Sequence, residues 1–256
     1  MSIILIARLT VQDLVRRRIF VILALFGLGM VVLSVPLRQL TIGQWYRLIA
    51  DVGLGATDLS VSLIAILLGA TLVAGDIDRR TAFPLLAKPL SRQGFVAGKF
   101  LGLVVVAGLL VLAMGGGTLL MLLGFTGRDL HVLPVVQATL GIFVHAILVG
   151  ALAVMFSSFT SSTLAATFSL ALLVIGHLTQ NIAFFAYRLP STLGRSTSLA
   201  IARALPDLEL LNLKTLAAHG VTVGWSDLST RFAYGLSYSV AVLAIGAVVF
   251  ARRDLK

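Results

Sequence analysis

Six long apolar segments, separated by shorter polar ones, dominate the pattern of this chain. Each approaches or exceeds the roughly 20 residues that a helix needs to cross the ~30 Å hydrocarbon core of a membrane. The segments lack both the alternation of a half-buried strand and the polar face of a helix in a soluble domain. The pattern predicts an all-α, polytopic helical membrane protein with one transmembrane domain over residues 1–256. The predicted spans are at about 19–36, 59–75, 100–125, 135–158, 163–187 and 233–251.

Composition supports this class. The chain is 59% hydrophobic and 12% charged, with a mean hydropathy of +1.05, which is far from an ordinary soluble domain. It contains no cysteine, so disulfides, cysteine-ligated metals and thiol chemistry are excluded. The first apolar segment is longer than the core of a cleaved signal peptide and lacks a clear small-residue cleavage site, so we interpret it as a retained span.

The net charge of +10 would suggest nucleic acid as a partner in a soluble protein. Its distribution indicates membrane orientation instead, because twelve of the twenty Lys and Arg residues lie on one side if the spans alternate from an inside N-terminus. We therefore expect a multi-pass protein of a bacterial inner membrane, with both termini cytoplasmic, lipid headgroups as partners and no nucleic acid. The twelve are Arg8, Arg16, Arg17, Arg18, Arg79, Arg80, Lys88, Arg92, Lys99, Arg252, Arg253 and Lys256.

Residues 1–18 precede the first span and predict an amphipathic helix at the cytoplasmic interface, with cations on headgroups and an apolar face in the acyl boundary. The alternative is an extension of the first span. The residues of the predicted apolar face are Ile3, Ile4, Ala7, Val11, Leu14 and Val15.

The longest connection, residues 188–232, is predicted to lie outside, before the last span. A turn at Pro206 is followed by spaced leucines, which predict a short amphipathic helix on the outer surface or partly re-entrant. Within the third span, Gly98 and Gly102 form a small-residue packing face, and the glycines at 115–117 permit a kink or a close helix approach.

Motifs for chemistry in this chain are absent or incomplete. The stretch from Gly94 to Phe100 is one residue short of a P-loop and lacks its hydroxyl, and there is no H-E-x-x-H zinc motif. We therefore predict no catalytic residue and no metal site. Polar groups at membrane depth are candidates for a translocation path, although they also serve as hydrogen bonds between helices. These candidates are His145, His177, Gln180 and Asn181.

Acidic residues within spans would indicate an ion-coupled carrier. Asp58 and Asp76 fall at the two ends of the second predicted span, and we interpret both as interfacial. No acidic residue is clearly inside a span, so we expect the energy source to lie in another chain.

The stretch GDIDRRTAFPLLAKPLSRQGFVAGKFLG, from Gly75 to Gly102, links the second and third spans. It resembles the cytoplasmic segment of ABC-2-type transporter permeases, in which an acidic residue and a Thr-containing turn precede a pattern like LL-x-K-P-L-S-R and a G-K-x-x-G start of the next span. The chain looks most like the permease encoded with nitrous oxide reductase maturation genes and its unassigned relatives. Its Asp76 and Asp78 stand where many relatives carry glutamate.

The resemblance implies the membrane subunit of an ABC transporter of exporter type. Residues 76–99 would form a coupling segment that docks on a separate ATPase, with an apolar centre and a charged rim. No cofactor is expected in this chain, because two copies of the ATPase would bind ATP and Mg²⁺. The permease would pair with itself or with a homologue. The implied coupling residues are Arg79, Arg80, Phe83, Leu85, Leu86, Lys88, Pro89 and Arg92.

Two other classes stay open at this point. A secondary carrier would transport without a partner ATPase. An intramembrane enzyme or a membrane-embedded assembly scaffold would function without ATP and show no coupled ATPase activity.

Overall fold

A computed structural model describes residues 3–33, 36, 45–78, 92–126, 131–186, 188 and 191–252. Within these ranges the chain is helical, and no strand is found. The longer helices are α1 (Ile3–Val15), α2 (Arg18–Leu33), α3 (Trp45–Leu72), α5 (Arg92–Thr126), α6 (Val132–Ser157), α7 (Ser162–Ala186), α8 (Thr192–Ala204) and α10 (Trp225–Arg252). Short elements are α4 (Ala74–Asp78), a 3₁₀ turn (Glu209–Leu211) and α9 (Lys214–Ala218).

Each of the six predicted spans coincides with a helix. Among the described residues, five helices are long and apolar enough to cross a membrane, namely α3 continued to Asp76, α5, α6, α7 and α10. The first predicted span is α2, an apolar helix of 16 residues, which is shorter than the others. The all-α polytopic class is confirmed.

Three helices begin well before the apolar segments that predicted them. The predicted spans start at about residues 59, 100 and 233, whereas the helices α3, α5 and α10 begin at Trp45, Arg92 and Trp225. The helices extend beyond the apolar segments because a helix continues through polar residues wherever its backbone bonds continue. The consequence for α3 is large, because Asp58 is about three and a half turns inside the helix and not at its end.

The helices α3 and α6 form the centre of the bundle, with α5 against both and α2 against α3. Most residues of α6 are buried, including the run from Val144 to Val154. The helices α7 and α10 lie beside α6 and leave wide apolar faces exposed, with Phe185 and Val240 among the exposed side chains. Such faces suit contact with lipid or with another membrane subunit.

The N-terminal helix α1 packs along α5. Its buried residues are Ile6, Thr10 and Leu14, spaced four apart along one stripe. Of the face predicted from sequence only Leu14 is buried, and Ile4 is 78% exposed. The contact with α5 is made by a different stripe, because Ile6 and Thr10 sit over the small residues Gly98 and Gly102 of α5. That the predicted face lies in the acyl boundary stays a prediction.

The close approach of α1 to α5 explains why position 102 is a glycine. A Cβ atom there would lie 2.6 Å from Cβ of Thr10 and 2.9 Å from the carbonyl oxygen of Ala7. The predicted small-residue packing face is confirmed, and its partner is α1. The glycines at 115–117 do not interrupt α5, which runs without a break from Arg92 to Thr126.

Candidate functional site

The segment between α8 and α10, residues 205–224, is inserted between the long helices; we call it the inserted segment. Leu208, Leu211 and Leu213 are each at most 2% exposed. Leu208 packs at Gly176 of α7, and the backbone of Leu211 packs at Gly141 of α6. These leucines are therefore buried against the long helices, and the choice between an outer-surface and a partly re-entrant placement stays a prediction. The single amphipathic helix predicted here is instead a 3₁₀ turn followed by the short helix α9.

Side chains of the long helices satisfy the backbone of the inserted segment. The Gln137 amide donates to the Val223 carbonyl oxygen and accepts from the Val223 N–H, both at 2.9 Å. The Tyr234 hydroxyl accepts from the Asp207 N–H at 2.8 Å, and Arg231 donates to the Leu210 carbonyl oxygen at 2.9 Å. Irregular backbone packed among helices requires such partners, because a buried N–H or carbonyl group without a hydrogen bond is costly.

The turn after α9 depends on a glycine in a left-handed conformation and on contacts with α3 and His131. Gly220 has φ of 71°, in the left-handed region that favours glycine. The His131 ring lies close against it: a Cβ atom at this position would be 2.6 Å from a ring carbon. The Tyr46 hydroxyl donates to the Ala217 carbonyl oxygen at 3.3 Å, so α3 also holds this turn.

The inserted segment delivers Lys214 to a buried carboxylate. Asp58 of α3 is 7% exposed, and its two oxygens have different partners. Oδ1 accepts from Nδ1 of His145 in α6 at 2.7 Å, and Oδ2 accepts from Nζ of Lys214. A buried carboxylate with a cation and a second donor is compensated, whereas an unpaired one would be costly. The arrangement fixes the inserted segment to two long helices.

The fourth member of this cluster is His177 of α7. Its ring lies edge-to-face with the His145 ring, with 5.4 Å between centroids. Its Nδ1 lies 2.9 Å from the Leu173 carbonyl oxygen, which can only accept, so Nδ1 carries the proton. We refer to Asp58, His145, His177 and Lys214 as the charged cluster.

A cavity of about 180 Å³ adjoins the charged cluster. Its lining includes all four cluster residues and the Ser62 side chain, while Gly55, Leu59 and Leu173 complete the wall. The Nε2 atom of His145 is buried and has no hydrogen-bond partner among the described residues. Buried polar atoms normally have partners, so this one marks an incomplete site. No group of three or more His, Asp or Glu side chains in the described ranges is arranged to hold a metal ion.

A second ion pair lies at the other end of α3, which we call the α4 end. Nζ of Lys99 in α5 is 2.6 Å from Oδ2 of Asp76 in α4, and both side chains are largely buried. Lys99 also lies over the Phe95 ring, with 5.6 Å to its centroid. The charged cluster is about 27 Å away along α3, measured from Asp58 to Asp76 at 1.5 Å per residue. This separation is comparable to the ~30 Å thickness of a hydrocarbon core.

Ser157, the last residue of α6, secures the break between α3 and α4. Its hydroxyl accepts from the backbone N–H of Val73 at 3.2 Å and of Ala74 at 2.9 Å. It donates to the Ala70 carbonyl oxygen at 2.7 Å. One buried side chain thus satisfies three backbone groups that the break would otherwise leave open.

Two of the four residues predicted from sequence as candidates for a translocation path lie close together in the structure. His145 and His177 are brought together in the charged cluster. Gln180 lies apart, with its amide 3.3 Å from an oxygen of Asp207 in an exposed contact, and Asn181 is exposed. The coupling residues from Arg79 to Pro89, and the side chain of Arg92, lie outside the described residues.

Sequence reasoning missed two members of the cluster. Asp58 was interpreted as interfacial, and its burial inside the bundle was not predicted, because α3 begins at Trp45, well before the apolar segment. Lys214 follows Asp58 by 156 positions, and no local pattern links them. The available signal was that a charge flanked by apolar residues needs a partner of opposite charge.

A bundle of long apolar helices with a paired charge inside it defines a polytopic membrane protein of a kind suited to transport. The family model described as ABC-2 family transporter protein matches residues 4–255, so the chain belongs to that family. It is an ABC transporter permease, a multi-pass membrane subunit that is not itself the catalytic one. Such permeases generally function with an ABC ATPase. A search of curated proteins finds no match to this chain.

Proposed function

We propose that this permease is an exporter subunit driven by a separate ATPase, which docks on residues 76–99. Family membership carries the proposal. Support comes from the α4 end, where the chain leaves α4 and returns in α5. The ion pair between Asp76 and Lys99 joins these two helices, and Ser157 joins the same region to α6. A force applied to residues 79–91 would therefore reach three long helices at once.

The proposed assembly contains two permease chains and two ATPase chains, which would bind ATP and Mg²⁺. The second permease is a copy of this chain or a homologue. The exposed apolar faces of α7 and α10 offer area for such pairing and for lipid. The Lys and Arg bias supports cytoplasmic termini in a bacterial inner membrane. The motif in residues 75–102 supports a place near the nitrous-oxide-reductase-maturation permeases.

In this mechanism ATP binding closes the ATPases and moves the coupling segment. The α4 end transmits the movement to α3, α5 and α6. At the other end, α3 and α6 hold the inserted segment through Asp58 and His145. Movement of these helices would change the position of the inserted segment, which we propose to cap the outer mouth of the path.

Docking is tested by replacing Phe83 and Leu86 together with Asp. Truncating a central interface anchor typically costs about 2 kcal/mol or more, which is about thirtyfold in affinity. We expect the double variant to lose the ATPase on co-purification and to lose coupled ATPase activity. Arg79→Ala, at the proposed rim, is the control and should mainly alter salt dependence. Retention of the ATPase by the double variant at wild-type affinity would remove residues 79–92 as the docking element.

Topology is tested with single cysteines, which are unambiguous because the natural chain has none. A cysteine at position 130, or at the exposed position 222 in the predicted outer segment, should react with an impermeant maleimide in intact cells. One at position 90 should react only after permeabilisation. Reaction at position 90 in intact cells would reverse the orientation and contradict the docking proposal.

A secondary carrier is the second candidate, because Asp58 is a buried acidic residue inside a spanning helix. The sequence argument against carriers rested on the lack of such a residue, and that argument no longer holds. Transport by reconstituted permease without its ATPase, driven by an ion gradient, would favour the carrier. Strict dependence on ATP and the ATPase would favour the ABC mechanism.

A further inference from the structure

We propose that the cavity beside the charged cluster binds the polar group of an amphiphile, whose head donates hydrogen bonds and carries no net negative charge. Amine and hydroxyl head groups have this chemistry. The role of the bound amphiphile as a transported molecule rests on the proposed transport function. Its structural basis is independent of any ATPase.

The inner wall of the cavity is polar and deeply buried. Asp58, Ser62 and His145 are between 2% and 7% exposed. His177 and Lys214 are half-buried and complete the polar part of the lining. A volume of about 180 Å³ has room for a small polar group or several water molecules.

The mouth of the cavity is apolar and lies at the side of the bundle. Leu59 is 53% exposed, and Leu173 of α7 is half-buried. A Cβ atom on Gly55 would have no neighbour within 4 Å, so the space in front of this residue is open. A polar interior behind an apolar opening between two spanning helices suits a molecule that keeps its hydrocarbon part outside. Such a molecule could enter between α3 and α7 without crossing the cluster.

The proton positions make the cavity rich in acceptors. Nδ1 of His145 donates to Asp58, and Nδ1 of His177 donates to the Leu173 carbonyl oxygen. In each neutral imidazole the Nε2 atom is then an acceptor. Nε2 of His145 is the buried atom without a partner. This nitrogen has almost no accessible surface, so a ligand would reach it only after neighbouring side chains move. The residues that line the cavity also include the Asp58 carboxylate and the Ser62 hydroxyl, whose oxygens accept hydrogen bonds from a donating head group.

Charge argues against an anionic head group. Asp58 and Lys214 are paired, so the formal charges of the cluster cancel while both imidazoles are neutral. An anion would have to compete with the Asp58 carboxylate for Lys214 and would approach that carboxylate closely. A neutral or cationic donor meets acceptors without disturbing the pair.

The test uses photoreactive alkyl diazirines with amine, hydroxyl or phosphate head groups. The purified full-length permease is placed in phosphatidylcholine nanodiscs and irradiated with each probe, and labelled peptides are quantified by mass spectrometry. Peptides containing residues 55–62 and 173–177 report the cavity. Peptides of α10 containing Val240, which is 68% exposed, report general partition into lipid. No ATPase is present, so the result is separate from the docking experiment.

Gly55→Phe should block the cavity, and Gly116→Phe is the matched control. Both glycines lie in spanning helices, and a Cβ atom on either meets nothing within 4 Å. We expect cavity labelling by the amine and hydroxyl probes to fall about tenfold in Gly55→Phe, equivalent to about 1.4 kcal/mol, and to persist in Gly116→Phe. Labelling of the α10 peptide should not change.

Leu59→Trp provides a second obstruction, at an exposed position, if Gly55→Phe does not yield folded protein. Unchanged cavity labelling in a folded blocking variant would overturn the site. Cavity labelling by the phosphate probe equal to that by the amine and hydroxyl probes would overturn the head-group chemistry. Either failure would leave ATPase docking intact, and loss of docking would leave cavity labelling intact.

Discussion

Two buried ion pairs in the described part of this permease are built differently. At the α4 end, Lys99 and Asp76 join helices that are close in sequence, and the Ser157 hydroxyl bonds to the backbone nearby. In the charged cluster, Lys214 and Asp58 join a long helix to the inserted segment, beside a cavity and an imidazole nitrogen without a partner. The first arrangement suits the transmission of force. The second suits a change of partners, because an incompletely satisfied polar site has something to gain from a ligand.

The packing around the two ion pairs also differs. Near the α4 end, α1 lies on glycines of α5 at backbone distance, which leaves no room for sliding without a clash. Around the charged cluster, irregular backbone is held by side-chain hydrogen bonds from α3, α6 and α10. Such bonds can be exchanged one at a time, whereas interlocked helices move together.

Loss of the charge on Asp58 should give the largest decrease in stability of the three changes considered. Asp58→Asn keeps an acceptor for His145 and leaves the Lys214 ammonium without its counter-charge, which typically costs about 3 kcal/mol in a buried pair. We expect a lower midpoint of thermal unfolding in detergent. The double variant Asp58→Asn/Lys214→Met should recover most of the loss, because no buried charge remains. Equal instability of the single and double variants would show that the pair is not the stabilising contact.

A side chain that obstructs the contact between α1 and α5 should give the second largest decrease in stability. Gly102→Val places a side chain against the backbone of Ala7, which cannot yield as a flexible side chain would. Overpacking of this kind costs about 1–3 kcal/mol, and we expect α1 to become accessible to protease. Gly116→Val on the same helix meets open space and is the control. Similar protease sensitivity in both variants would assign the effect to valine in the helix and not to the contact.

Removal of the Ser157 hydroxyl should have the smallest effect of the three. Ser157→Ala leaves the Val73 and Ala74 N–H groups without this acceptor, at a cost of about 1–2 kcal/mol. Hydrogen exchange should accelerate at these two amides. Ser169→Ala is the control, because that buried hydroxyl donates to a carbonyl of its own helix. Unchanged exchange at Val73 and Ala74 would mean that water replaces the hydroxyl and that the break is not held by Ser157.

The sequence was sufficient for the number and order of the apolar helices, because each must satisfy the same length and composition limits. It also identified His145 and His177, which are polar residues within apolar runs. It was insufficient for Asp58, since the start of α3 is decided by backbone continuity through Arg47 and Asp51 and not by hydrophobicity. Lys214 could be placed only by the fold of the inserted segment, to which Gln137, Arg231 and Tyr234 contribute from distant positions.

Ser157, at the end of α6, also sets the rotation of α4 relative to α3. Its hydroxyl holds Ala70, Val73 and Ala74 together, so the rotation of α4 about its axis is fixed relative to α3. Each residue advances a helix by about 100°, as 3.6 residues complete a turn. One residue inserted between Ala74 and Asp76 would therefore turn the Asp76 carboxylate away from Lys99 and send the chain out of the bundle in a different direction. The length of this short helix, counted from the serine contact, therefore sets the direction of its last residue, Asp78, from which the proposed docking segment continues.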